Sequence, residues 1–287
     1  DCAIYLQECC KKMGFETRLE AFQVEMCDIH EAVLTIDGKE IPCKGYRCAG
    51  SGTVEAPFYY MPNTDACSLA QCKGKIVMLD GGVGYWGYRD LIENGAVGII
   101  TYDGNANYAD EDIDLRELRS FVREGSDNKK IPCVNINAKS AIKLVNQNAA
   151  NAKIVLNQDE WIGDSHNVIL DLPGETDEMI VLSAHYDSTP LSQGVYDRQH
   201  PHHYSLRFLW CGSEERGLLG SKAYVATHEE DLKKTVLNIN LDMIGCIMGK
   251  FIACCTSEEK LVHYIEYLAS ETGFGMAARQ GVYSSDS

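Results

Sequence analysis

Residues 205–221 read "SLRFLWCGSEERGLLGS". A mostly apolar run of strand length ends at Gly212. Two adjacent acids, Glu214 and Glu215, follow it, and then Gly-Leu-Leu-Gly-Ser at 217–221. Neighbouring residues do not share a face on a strand or on a helix. Glu214 and Glu215 therefore point different ways and can do different work. Two readings compete: an exposed acidic turn, or a base beside a metal ligand.

Three other runs have the same character: "HNVILDLPG" (166–174), "EMIVLSAHYD" (178–187) and "TVLNINLDMIG" (235–245). Apolar strands separated by helical segments predict a sheet covered on both faces. His185 and Asp187, Glu214 and Glu215, and Asp242 fall at the C-terminal ends of three of these runs. In open α/β sheets the crevice beyond the strand C-ends is where sites form. Imidazole and carboxylate are ligand types for Zn²⁺. Taken singly, an Asp at a strand end is a cap or a turn residue; three strands ending this way together favour a site.

The upstream half reads differently. Residues 2–13 predict a helix stopped at Gly14, and "TRLEAFQVE" (17–25) a strand. Asp37-Gly38 between two β-like runs is a hairpin signal. "AGSGTVEAP" (49–57) reads as a linker. Residues 74–155 read as a compact α/β unit: strand 74–81, helix 88–96, strand 97–104, a polar excursion over 105–120, strand and helix over 131–147 with Asn137 or Ser140 as N-cap, and strand 152–158. Near the end, residues 256–273 predict an amphipathic helix with Thr256 and Glu259 as a capping box, Leu261, Ile265 and Leu268 as its apolar stripe, and Gly273 as its stop.

Gly82, Gly84 and Gly87 form a G-x-G-x-x-G between a strand and a helix, with Asp103 about 20 residues on. That order supports an alternative, an NAD-type oxidoreductase. Against it, Asp80-Gly81 lengthen the turn, the helix is short, and no second mononucleotide-binding half follows.

The chain has 287 residues and a net charge of −16. Such acidity speaks against nucleic acid and against an anionic membrane surface as partners. No apolar run is long enough to span a bilayer. The chain opens at Asp1 without a Met, so a removed signal stays open. Its 13 Cys are odd in number and are not spaced as a small disulfide scaffold. Cys43/Cys48 and Cys67/Cys72 have a spacing a structural zinc tolerates, but buried thiols in a reducing cytoplasm are the better reading. Oligomeric state is left open.

"AHYDS" (184–188), "GSEERGLLGS" (212–221) and "NLDMIG" (240–245), in that order, closely resemble the co-catalytic di-zinc metallopeptidase family that includes bacterial leucyl aminopeptidase, aminopeptidase Y and glutamate carboxypeptidase. "SHNVILDLPG" (165–174) resembles its entry strand, and residues 52–156 resemble the protease-associated domain inserted in it. The resemblance implies a mixed, mostly parallel sheet sandwiched by helices: 1–51 as the N-terminal part of the peptidase domain, 52–156 as the insert, 157–287 as the peptidase core. It implies a zinc-dependent exopeptidase acting on peptides, an aminopeptidase more than a carboxypeptidase, with glutaminyl cyclisation as an outlier. His185 and Asp242 would bind a first zinc, Glu215 a second, and Asp197 would bridge them. Asp187 would orient His185, and Glu214 would be the general base.

Two departures from the family pattern stand out. Asp197 runs directly into "RQHPHHY" (198–204), and 188–205 is short for a helical crossover between parallel strands; a helix is expected to be missing there. His200, His202 and His203 in that stretch read as a solvated loop. Ser287 stands where the family has its last ligand, a His, and the closing strand is expected to be missing. A single-metal enzyme or a non-catalytic binding protein on the same fold is then the alternative.

Overall fold

The computed structural model describes residues 2–103, 113–187, 203–243, 251–281 and 285–286. The chain opens with α1 (Cys2–Lys12) and β1 (Arg18–Ile36). Asp37 (φ 48°) and Gly38 (φ 77°) turn it into β2 (Lys39–Ile41), pairing Ile36 with Lys39. Both turn residues have the positive φ that the Asp-Gly signal predicts. There follow β3 (Lys44–Gly45), β4 (Gly52–Tyr60), α2 (Ala66–Leu69), β5 (Ile76–Asp80), α3 (Tyr85–Glu93), β6 (Gly98–Asp103), α4 (Ser120–Arg123), β7 (Cys133–Asn137) and α5 (Ala138–Asn146). The rest is β8 (Asn151–Leu172), β9 (Met179–His185), β10 (Ser205–Cys211), α6 (Leu219–Thr227), α7 (Glu229–Lys234), β11 (Thr235–Asn240), β12 (Phe251–Cys255), α8 (Glu259–Thr272) and β13 (Met276–Gln280). Among the described residues no helix is long and apolar enough to cross a membrane.

Two compact units divide the chain. Asp1–Val24 and Asp164–Ser287 form one, and Glu25–Gly163 the other. The segment read as an insert, 52–156, lies within the second unit, which also takes in residues 25–51 and 157–163.

In the second unit β4, β5, β6 and β7 lie side by side and parallel. β3 runs antiparallel on β7, and the start of β8 antiparallel on β4. Ile76, Val77 and Met78 of β5 are all fully buried, as a strand covered on both faces requires. Asn137 is the cap of α5; its side chain accepts from the Ser140 amide at 2.7 Å. The linker reading of 49–57 is corrected: from Gly52 onward this stretch is β4. Its glycines and small residues mimic a linker, but Val54 and Ala56 alternate with Thr53 and Glu55 as strand neighbours do.

The strands read separately at 152–158 and 166–174 are one element, the 22-residue β8. Its polar middle looks like a break in sequence. β1 pairs with β8 and keeps it extended; Asn157 donates to Glu31 at 2.6 Å and Asp159 pairs with His30 at 2.8 Å across the two strands.

The Gly82–Gly87 turn does join β5 to α3. A Cβ at Gly84 or Gly87 would meet nothing within 4 Å. The close helix–strand approach that the third glycine of a dinucleotide fingerprint serves is not made at Gly87. Nor do Gly84 and Gly87 serve tight packing; of the three, only Gly82 abuts a side chain, that of Arg116. Cys48 and Cys72 are fully buried, and Cys72 packs its sulfur on Met61 at 3.8 Å. Cys67 is exposed, and the described cysteines are free thiols.

The first unit carries the strand order β11-β9-β10-β8. β10 and β11 both run parallel to β9, and β8 runs antiparallel to β10. Alternate residues of β8 serve opposite faces. Val168 and Leu170 pack with Trp210 and Cys10 of α1; Ile169 packs with Val181, Leu209 and Tyr224 of α6. Helices therefore cover the sheet on both sides, as the apolar runs predict. β12 and β13 form a separate parallel pair beside α8. The capping box expected at Thr256 is not made: α8 begins at Glu259 itself, so that residue sits one position past the cap and cannot reach back. Gly273 (φ 67°) closes the helix as expected.

One buried cation ties this unit together. Arg207 of β10 donates to Asp171 of β8 at 2.6 and 3.1 Å, to Tyr224 of α6 at 2.9 Å and to Asp231 of α7 at 2.5 Å. The hydrogen bond from Arg207 is the chief reason the Asp231 carboxyl titrates low. At Asp171 burial pushes upward, but hydrogen bonds from Arg207 and Arg18 outweigh it and the net direction is down. Such carboxyls bind protons more readily in the unfolded chain. Their stabilisation is full above the unfolded value, about 4, and is lost as pH falls through the folded value. Urea midpoints followed from about pH 6 to about pH 2 will drop below about pH 4, and the drop will be shallower in Asp231→Asn. An equal slope in the variant would remove this pair from the explanation.

Candidate metal centre

β9 sits between β10 and β11, so the strand order reverses at β9 and a crevice opens beyond its C-terminal end. Cys211 pairs with His185, and Asn240 with Ser183. Main-chain bonds carry the pairing past the strands: the Tyr186 amide donates to Cys211 and the Leu241 amide to Ser183. His185, Glu214 and Asp242 are brought to one rim by this register.

His185 Nδ1 lies 2.7 Å from the main-chain carbonyl of Asp187. A carbonyl only accepts, so Nδ1 carries the proton and Nε2 is turned toward Asp242 Oδ1, 3.3 Å away. Two acceptors at that distance need a proton or a cation between them. Burial by itself would lower the His185 pKa; the bond to Asp187 and the charges of Glu214 and Asp242 outweigh it and raise it. Asp187 thus orients the imidazole through its carbonyl. Its carboxylate, 3.8 Å from Nδ1, serves elsewhere. One oxygen accepts from the Glu214 amide at 2.9 Å, the other from the Glu215 amide at 3.1 Å.

That clamp pins both glutamates at the end of β9. Ligand atoms of His185, Glu214 and Glu215 lie within 4.8 Å of one another, the one such cluster of three or more among the described residues. Burial, together with Asp286, Glu215 and Asp242, raises the Glu214 carboxyl; His185 opposes it without cancelling it. The backbone here is strained: Ser213 (φ 57°), Leu218 (φ 60°) and Met243 (φ 51°) are left-handed without being glycine. Each costs on the order of 1–3 kcal/mol and persists where surrounding contacts over-determine it.

Asp242 is held from behind. Ser285 donates to its Oδ2 at 2.8 Å and accepts from Asn240 Nδ2 at 2.6 Å. Ser183 donates to Asn240 Oδ1 at 2.9 Å. Asp286 is buried against Cys211 and Ser221, and burial raises its carboxyl. Sequence reasoning assigned nothing to Ser183, Asn240, Ser285 or Asp286. Ser183 and Asn240 leave one trace, as polar residues inside otherwise apolar runs; Ser285 and Asp286 stand in a polar stretch and leave none. Asp197, His200, His202 and Ser287 lie outside the described residues. His203 is exposed and pairs with Glu175 at 3.0 Å.

Strand order and donor set define an α/β domain with a candidate metal centre at its switch point. Residues 167–199 and 195–285 match the model described as Peptidase family M28. Aminopeptidase YwaD of Bacillus subtilis (strain 168) is 27% identical over 271 residues, 85% of this chain and 56% of YwaD. The probable lipoprotein aminopeptidase LpqL of Mycobacterium tuberculosis (strain ATCC 25618 / H37Rv) is 24% identical over 272 residues, 84% of this chain and 52% of LpqL. The chain spans about half the length of these curated relatives. Among solved structures, BSAP, a zinc aminopeptidase from Bacillus subtilis, superposes with a TM-score of 0.76 at 24% identity, over 99% of this chain and 74% of that one. The likeness shows the fold.

Proposed function

We propose that the chain carries the centre of a zinc-dependent exopeptidase, an aminopeptidase acting on peptide substrates. The observation that carries the reading is His185 Nε2 facing Asp242 Oδ1 at 3.3 Å with both glutamates close by. An imidazole nitrogen among carboxylate oxygens is a donor set suited to zinc. The names of the relatives, aminopeptidases in each case, support the direction of cleavage.

His185 and Asp242 would hold one ion and Glu215 would contribute to a second; on the resemblance, Asp197 would supply a carboxylate to both. Zinc bound there supplies Lewis-acid polarisation of the scissile carbonyl and makes water nucleophilic near neutral pH. Glu214 takes the proton of the attacking water and delivers it to the departing amine. Asp187 holds both glutamates by their amides and His185 by its ring. On the same resemblance, 52–156 is a protease-associated domain with no chemistry of its own.

The test is metal content together with a panel of aminoacyl and peptidyl substrates. Bound zinc, with release of N-terminal residues that chelation abolishes and added zinc restores, is the expected result. Zinc-loaded protein that cleaves no member of the panel would contradict it and favour a binding protein on the same fold.

A further inference from the structure

We infer that Asn167 is a positioning residue for Glu214 and Glu215, a role that rests on the proposed function above. Asn167 lies on β8, within its antiparallel pairing to β10, and is 1% exposed. Its Oδ1 accepts from the Gly212 amide at 3.2 Å, and its Nδ2 donates to the Gly220 carbonyl at 2.8 Å. Those two glycines bracket the loop that holds both glutamates. One buried side-chain amide therefore ties the start of the loop to its end.

Both glycines are required by the closeness of this tie. A Cβ at Gly220 would lie 2.5 Å from the Gly212 carbonyl oxygen and would also meet Asn167 Oδ1. A Cβ at Gly212 would lie 2.7 Å from the Tyr186 hydroxyl and would meet the His166 carbonyl. The neighbours of Asn167 reinforce it: Ser213 donates to Ser165 at 2.9 Å, and Tyr186 donates to the His166 carbonyl at 2.6 Å. With its ends closed in this way, the loop bulges toward β9, where the Asp187 carboxylate catches the two glutamate amides. Asp187 sets the tip of the loop and Asn167 sets its base. The left-handed conformations at Ser213 and Leu218 sit just inside that base, where such a constraint is needed.

The role demands a donor and an acceptor on one uncharged side chain of this length. Asp keeps the acceptor but loses the donor to Gly220. Leu keeps the volume and loses both. The experiment compares wild type, Asn167→Asp and Asn167→Leu by three readouts: kcat and KM of zinc-loaded protein, zinc affinity by chelator competition, and amide hydrogen exchange over 212–220 in metal-free protein. We expect kcat or zinc affinity to fall roughly 10- to 100-fold, the range for groups that orient metal ligands, with KM within about twofold. Exchange will quicken over 212–220 while peptides of β9 stay protected. A lowered Tm with unchanged kcat and zinc affinity in both variants would make Asn167 merely structural and overturn the inference. If wild type cleaves no substrate, the functional reading fails by itself, and loop exchange with zinc affinity still decides the role of Asn167.

Discussion

Glu214→Gln lowers kcat by roughly 100- to 10,000-fold, the range for a general base, and leaves zinc bound. The substitution keeps the size of the side chain and one acceptor oxygen. It removes only the group that takes a proton. The loop keeps its place because Asp187 grips the Glu214 and Glu215 main-chain amides rather than their side chains. Glu215→Gln is the matched control. Its neutral oxygen is a weaker ligand, so zinc affinity falls along with activity. Zinc titration and steady-state kinetics on both variants separate the two jobs. Loss of zinc in Glu214→Gln, with retention in Glu215→Gln, would exchange their roles.

Arg207→Ala lowers the unfolding free energy by about 2–4 kcal/mol, below the figure for a fully buried pair because its carboxylate partners are partly exposed. The guanidinium itself is 7% exposed, against 39% for Asp171 and 29% for Asp231. Removing it leaves two carboxylates and the Tyr224 hydroxyl short of a donor at the meeting of β8, β10, α6 and α7. Arg18 still pairs with Asp171 at 2.5 Å, which limits the damage on that side. Against a total of about 5–15 kcal/mol, a loss of this size moves the urea midpoint far enough to measure. A change below about 1 kcal/mol would mean that the network is dispensable. Because β10 ends at Cys211, directly before the glutamate loop, the same variant will also weaken zinc binding.

What could be read from the chain follows a physical divide. The apolar runs that end in His185, Glu214 and Asp242 are visible because strand and site are written contiguously. The Asp37-Gly38 hairpin and the Gly273 stop are visible for the same reason: local backbone geometry demands those residues. β8 is not visible as one strand, because pairing with β1 holds its polar middle and that partner lies far away in sequence. The α8 cap failed because the helix starts a few residues later than its Ser/Thr-x-x-Glu pattern suggests. The roles of Asn167, Ser285 and Asn240 are not legible in the sequence: each acts through one side chain on a partner 43 or more residues away. Even at Asp187, where the motif points to an orienting role, the contact to the ring is made by a main-chain carbonyl, which no side-chain pattern encodes.

Zinc-edge anomalous diffraction from zinc-loaded crystals tests the central claim most directly. The account predicts a peak about 2.0–2.2 Å from His185 Nε2 and from an Asp242 oxygen, with the Glu214 carboxylate nearby and not bonded to it. A peak that avoids His185 and Asp242, or none at this rim in crystals soaked to saturation, would contradict it.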